Sequence, residues 1–169
     1  VTKALAPSRR RLQSGDPEMV AAWKRLIEVT MKEVYLACDL LGTGIAPDSE
    51  RGESSFRDEL SEVVDAFVRS GLAVEDDGAL VVRFEDRERP MLIRKRDGGF
   101  LYATTDLAAL RYRVQELDSD EVIYVVDARQ RDHFRDVFDA CRKIGWATLP
   151  DGVESELVHL GFGTVLGPD

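Results

Sequence analysis

A tyrosine and an aspartate stand four residues apart, at Tyr102 and Asp106, in the stretch "DGGFLYATTDLAALRYR" (97–113). Further along, Asp127, Arg129, Gln130 and His133 form one group, and His159, Phe162, Gly163 and Thr164 another. Acidic, amide and phenolic groups gathered at one rim suit a cationic, hydrogen-bonding ligand. A carboxylate such as Asp106 can take a guanidinium through two parallel N–H donors. Each charge-assisted hydrogen bond of that kind contributes on the order of 1.5–3 kcal/mol. Left unpaired in a closed pocket, the same carboxylate penalises a ligand without the fork. A site built this way can reject near-analogues by roughly 10⁴-fold.

Such a rim needs elements to hold it. The pattern predicts a strand over 100–104, a helix over 106–117, the strand "EVIYVV" (121–126), a helix over 130–144 closed by Gly145, and the strand "ELVHLGF" (156–162). Strand, helix, strand, helix, strand is the signature of parallel βαβ units, and a three-stranded parallel sheet is expected. In an open parallel sheet the C-terminal strand ends and the helix N-termini face one crevice, where ligands bind. Tyr102, Thr104, Thr105 and Asp106 follow the first strand, the Asp127 group the second, and the His159 group the third. Each residue also has a structural alternative. Asp106 and Asp127 could cap helices. Tyr102 could be core, His133 and Phe134 packing, and Gly161 and Gly163 chain reversal.

The first part of the chain is of a different kind. Positions 3–13 read as a helix end and "SGD" (14–16) as a break. Asp16 is placed to cap a helix with Pro17 at its first position. Val20, Trp23, Leu26, Ile27, Met31, Val34, Tyr35, Cys38 and Leu41 recur at helical spacing up to Gly42, with Trp23 and Tyr35 expected in a core. A loop over 42–54 holds at most a short strand at 44–46. A second helix is expected over 55–70, ended by Gly71, and then a hairpin of "ALVVRF" (79–84) and "MLIRK" (91–95) joined by the polar loop "EDRERP".

Composition narrows the classes. The 169-residue chain is 44% hydrophobic and 33% charged, which fits a globular protein with a core. The longest apolar stretches are broken by charge, so no membrane partner is expected. Two cysteines far apart, Cys38 and Cys141, make neither a disulfide framework nor a metal site, and they read as reduced thiols of a cytoplasmic protein. A net charge of −9 disfavours general nucleic-acid binding. The clusters at Arg9–Arg11 and Arg94–Arg96 read as solvated faces. The first residue is Val1 and the opening has no apolar signal core, so an excised piece of a longer chain is expected.

Six blocks in order carry a family resemblance: "GDPEMVAAW" (15–23), "GESSF" (52–56), "DGAL" (77–80), "DGGFLYATTDLAALRYR", "YVVDARQRDHF" (124–134) and "HLGFGTVLG" (159–167). Together they resemble arginyl-tRNA synthetases, class I aminoacyl-tRNA synthetases, over nearly the whole chain. The resemblance implies the second half of a Rossmann-like nucleotide-binding fold of the α/β class, joined to a helical and β-hairpin insertion. Residues 1–51 would be a helical segment of the catalytic domain, 52–98 the connecting insertion, and 99–169 the second half of the catalytic domain. Tyr102 and Asp106 match the family's guanidinium-binding pair, and Gln130 the amide at arginine's amino-acid end. His159, Phe162 and Gly163 match the segment lining ATP, with His133 near that pocket.

The implied reaction forms arginyl-adenylate from arginine and ATP, then transfers arginine to tRNA(Arg). The first step also needs bound tRNA. Mg²⁺ accompanies ATP, no tightly bound cofactor is involved, and tRNA is held mostly by domains not contained in these residues. The class I His-x-Gly-His motif is absent, since His133 and His159 are the two histidines. The basic signature loop is absent too, and Phe56 stands where the family usually has tyrosine. The stretch 43–48 matches loosely. No catalytic residue is therefore assigned, and the chain alone is expected to be catalytically silent. The alternatives are an arginyl-tRNA synthetase-like paralogue and a non-catalytic interaction module. A generic dinucleotide-binding domain is disfavoured because no G-x-G-x-x-G follows any strand.

Overall fold

The first helix begins and ends on local chemistry. The carboxylate of Asp16 accepts the backbone N–H of Met19 at 3.1 Å, Pro17 occupies the first turn, and α1 runs Pro17–Leu41. Gly42, at φ 69°, takes the left-handed conformation that closes it. The computed structural model describes residues 11–12, 15–45 and 47–163. The helix end expected at 3–13 falls almost wholly outside the described residues, apart from a helical pair at 11–12. Residues 44 and 45 are not strand, and 46 lies outside the described residues.

The chain divides into two compact units, Val1–Arg51 and Gly52–Asp169. In the first, no residue of α1 is buried, and Trp23 and Tyr35 are half-buried rather than core. Tyr35 donates its hydroxyl to Glu50 at 2.7 Å, and that bond to an anion pushes its phenol up to about 12.

The second unit opens with a 3₁₀ turn, Glu53–Glu59, before α2 (Leu60–Arg69). One helix over 55–70 was the expectation. Ser55 instead bonds the Gly52 carbonyl with both its N–H and its hydroxyl, the local competition that tightens a first turn. An antiparallel sheet follows: β1 (Ala73–Asp76), β2 (Ala79–Phe84) and β3 (Arg87–Arg94), in that order. β1 was not foreseen. It pairs with β2 across Asp77-Gly78, both at positive φ, the backbone a tight hairpin needs. The polar run 87–90, expected as loop, is strand. Pro90 is tolerated there because β3 is an edge and its register with β2 shifts between Val82 and Phe84.

The expected strand over 100–104 does not form. After a turn at Gly98, φ 81°, Phe100 makes a single bridge to Arg94. The Leu101 carbonyl then accepts the N–H groups of Thr104 and Thr105, and α3 begins at Tyr102. Thr104 is buried with its hydroxyl donated to the Ile93 carbonyl, which ties α3 to β3 and removes Thr104 from any rim. α3 runs Tyr102–Arg111 and ends in one π-helical turn, Tyr112–Glu116, rather than spanning 106–117. β4 (Glu121–Asp127), α4 (Arg131–Ile144) and β5 (Glu156–Phe162) complete a βαβ unit. Among the described residues the parallel sheet thus has two strands, not three, in register from Glu121↔Glu156 to Asp127↔Phe162. The architecture is mixed α/β, with one antiparallel and one parallel sheet.

A single core joins these pieces. Val63 and Phe67 of α2, Ile93 of β3, Leu107 and Leu110 of α3, and Val137 and Cys141 of α4 are fully buried. Phe67 meets Trp146 edge-on at 5.3 Å between ring centres. Burial pushes the Cys141 thiol up, so it packs as a neutral thiol. Arg87 is the polar rivet between β3 and α4. Its guanidinium reaches Asp136, which is buried, as well as Asp139 and Asp86, while Arg89 takes the other oxygen of Asp136 at 2.8 Å. Burial acts to lower the ionisation of Arg87, but the bonds to these carboxylates outweigh it and hold the guanidinium charged.

Candidate functional site

Tyr102 and Asp106 lie on one helix, not across a strand-to-helix junction. Both sit in the first turns of α3, and a spacing of four places them on the same face. Asp106 is past the helix start, so it does not cap; the cap position is Leu101, without a side-chain bond. Tyr102 is 73% exposed, which excludes the core alternative. The second group arrives from the β4–α4 junction. Asp127 accepts the N–H of Arg129 at 2.8 Å and grips the same residue's guanidinium with both oxygens. Those bonds lower the Asp127 carboxyl to about 2. Asp127 and Arg129 thus neutralise one another at the turn Ala128–Gln130, and the capping alternative holds for Asp127. The turn carries Gln130 to the rim, and the first turn of α4 brings His133 and Phe134.

These residues converge. A cavity of about 380 Å³ is lined by Tyr102, Asp106, Gln130 and His133, together with Glu53, Tyr124, Val126 and Phe134. Inside it the Nε2 of His133 lies 2.6 Å from a carboxylate oxygen of Asp106. Tyr124 is mostly buried beneath. Its hydroxyl accepts the Arg113 guanidinium at 3.0 Å, and burial, opposed by that cation, pushes its phenol up to about 12. It therefore stays a neutral donor at physiological pH. The wall thus offers two carboxylates, two phenols, an amide and an imidazole, with Phe134 and Val126 as the apolar floor. Among the described residues no cluster of three or more His, Cys, Asp or Glu could hold a metal ion.

His159, Phe162 and Gly163 do not line this cavity. The ring of His159 stacks on Phe134 at 5.6 Å, one ring behind the wall, and its Nε2 is buried without a hydrogen-bond partner among the described residues. Phe162 and Gly163 lie exposed at the C-terminal end of β5. Thr164 lies outside the described residues. Gly161 does not reverse the chain. It sits within β5, where a side chain would meet Ala128 and His159 at 3.1 Å, so its bareness lets the strand approach the turn that carries Gln130. At Gly163, among the described residues, a side chain would meet nothing within 4 Å.

Glu53, Tyr124, Val126 and Phe134 were not singled out as site residues. Glu53 stands in "GESSF" and Phe134 beside the Gln130–His133 pair, so both lay inside quoted blocks without a role. Tyr124 and Val126 share one face of β4 by alternation, and only the fold shows that this face meets the cavity.

Known proteins are similar to nearly all of the chain. An arginine–tRNA ligase of Cutibacterium acnes is 47% identical over 165 residues, 96% of this chain and 29% of that relative. One from Rhodopirellula baltica is 44% identical across 100% of this chain and 24% of its own length. The crystal structure of arginyl-tRNA synthetase from Plasmodium falciparum superposes with a TM-score of 0.85 at 32% identity, covering 98% of this chain and 28% of that one. The chain therefore spans less than a third of the length of each of these relatives. The family described as "tRNA synthetases class I (R), catalytic domain" matches residues 5–169, and the chain belongs to it.

Proposed function

We propose that these residues are part of an arginine–tRNA ligase, which activates arginine with ATP to arginyl-adenylate and passes the arginyl group to tRNA(Arg). The observation that carries this reading is the cavity that gathers Tyr102, Asp106 and Gln130 from two separate elements. Asp106 supplies the anion for the guanidinium, Tyr102 flanks it from one turn earlier, and Gln130 takes the amino-acid end. Glu53 adds a second carboxylate to the same wall, which strengthens the preference for a cation. ATP belongs at the C-terminal end of β5, beside His159, Phe162 and Gly163, on the edge where parallel sheets bind nucleotides.

Mg²⁺ enters as the companion of the ATP phosphates. Among the described residues no group of three or more His, Cys, Asp or Glu could hold it. The contribution of these residues is positioning: holding arginine's head so that its carboxylate meets the α-phosphate. The division into a helical segment (1–51), a connecting insertion (52–98) and the second half of the catalytic domain (99–169) is part of the same proposal. A cytoplasmic location is proposed with it; among the described residues no helix is long and apolar enough to cross a membrane.

Arginine-dependent exchange between ATP and pyrophosphate in the full-length protein, with tRNA(Arg) present, tests the reading. Arginine should support exchange, and citrulline, its neutral isostere, should fail by several orders of magnitude. Equal turnover with citrulline would refute a site built on a carboxylate fork. Exchange without transfer to tRNA would favour the paralogue. The 169-residue chain by itself should show no exchange.

A further inference from the structure

Asp106 has one side-chain hydrogen-bond partner among the described residues, and it comes from another element 27 positions away. The Nε2 of His133, on the first turn of α4, sits 2.6 Å from the Oδ2 of Asp106, on the second turn of α3. Both side chains are about a quarter exposed, at 30% and 24%, and both line the same cavity. A carboxylate only accepts, so Nε2 carries the proton in this bond. The imidazole is itself held. It meets Phe134 edge-on at 5.1 Å, and Phe134 is clamped between Tyr124 at 4.6 Å and the stacked ring of His159.

We infer that His133 is a positioning residue for arginine, acting through Asp106, and not a contact of ATP. This rests on the proposed arginine site. Each carboxylate oxygen has two lone-pair positions, and His133 uses one on Oδ2. The other oxygen and the remaining lone pairs stay available for a two-pronged guanidinium. A carboxylate on a two-torsion side chain otherwise turns freely, and a planar fork tolerates little misorientation. Fixing the plane of Asp106 beforehand removes that ordering cost from binding. The bond also spans α3, which carries Tyr102, and α4, which follows the turn that carries Gln130, so it ties together the two sides of the cavity.

The test uses the full-length protein and three changes: His133→Leu, which removes the donor; His133→Gln, which keeps an N–H donor; and Asp106→Asn, alone and combined with His133→Leu. In arginine-dependent exchange, His133→Leu should raise KM for arginine about tenfold or more, the loss expected for one charge-assisted hydrogen bond. KM for ATP should change by less than about threefold, and His133→Gln should recover most of the arginine affinity. The double variant should behave like Asp106→Asn alone, because His133 has nothing left to orient. Calorimetric arginine binding gives the same comparison if exchange in a variant is too slow to follow. A rise in KM for ATP with arginine unaffected, or fully additive losses in the double variant, would overturn the inference while leaving the arginine site standing. Failure of the unaltered protein to bind arginine at all would overturn the site and the inference together.

Discussion

Two isoleucines show how differently the two sheets are supported. Ile93, on β3 of the antiparallel sheet, is wholly buried in the core; Ile123, on β4 of the parallel pair, is 50% exposed. The antiparallel sheet turns one face to the core and one to solvent, which such sheets tolerate. The parallel pair covers one face as well, through Val122, Leu157, Tyr124 and Val126. Its other face, however, is apolar and open: Ile123, Val125, Leu160 and Phe162 all stand half-exposed or more. Parallel sheets are ordinarily covered on both sides, and their strands read as continuous apolar runs for that reason. "EVIYVV" is such a run. The half that positions the proposed ligand site therefore carries an apolar face that stays exposed among the described residues.

The largest expected effects lie on the closed side. Phe67→Ala, which empties the seat beside Trp146, should cost about 3–5 kcal/mol in denaturant unfolding, and Ile93→Ala about 2–5 kcal/mol. Arg87→Met leaves the buried carboxylate of Asp136 with only Arg89 and should cost about 3 kcal/mol. Ile123→Ala should fall within roughly 0.5–1 kcal/mol in this chain. If Ile93→Ala and Ile123→Ala cost the same here, the contrast between the sheets fails. A much larger loss for Ile123→Ala in a longer chain containing these residues would show that the open face is covered there.

A smaller effect distinguishes the covered face of β4. Tyr124 has a phenol raised from the ordinary 10.0 to about 12, chiefly by burial. In the unfolded chain that phenol ionises first, so its contribution to stability is complete below pH 10 and is lost as pH rises from about 10 to 12. Tyr124→Phe should flatten this part of the alkaline unfolding profile, followed by circular dichroism. An unchanged slope would place Tyr124 in a wetter setting than the packed wall under the cavity.

What was legible follows from which signals are local. Asp16, Pro17 and Gly42 define α1 from single-residue chemistry, and Gly145 ends α4 in the same way. The runs at 121–126 and 156–162 read as strands because they are short and rich in β-branched, aromatic and other apolar residues. The stretch 100–104 misled because Phe100, Leu101 and Tyr102 have strand-like side chains. The decisive contact, Thr104 to the Ile93 carbonyl, is tertiary and invisible in sequence. β1 could have been found from Asp77-Gly78, a hairpin turn between short runs, but its acidic outward positions hid the alternation. The pairing of His133 with Asp106 crosses two helices, so spacing alone could not reveal it; the sequence supplied both residues and not their meeting.

The central claim is that Asp106 is the anion that takes arginine's guanidinium in this cavity. Calorimetric titration of the full-length protein with arginine and, separately, with ATP, before and after Asp106→Asn, tests it most directly. The account predicts that arginine affinity falls about tenfold or more while ATP affinity changes less than about twofold. Equal arginine affinity in the two proteins would contradict it.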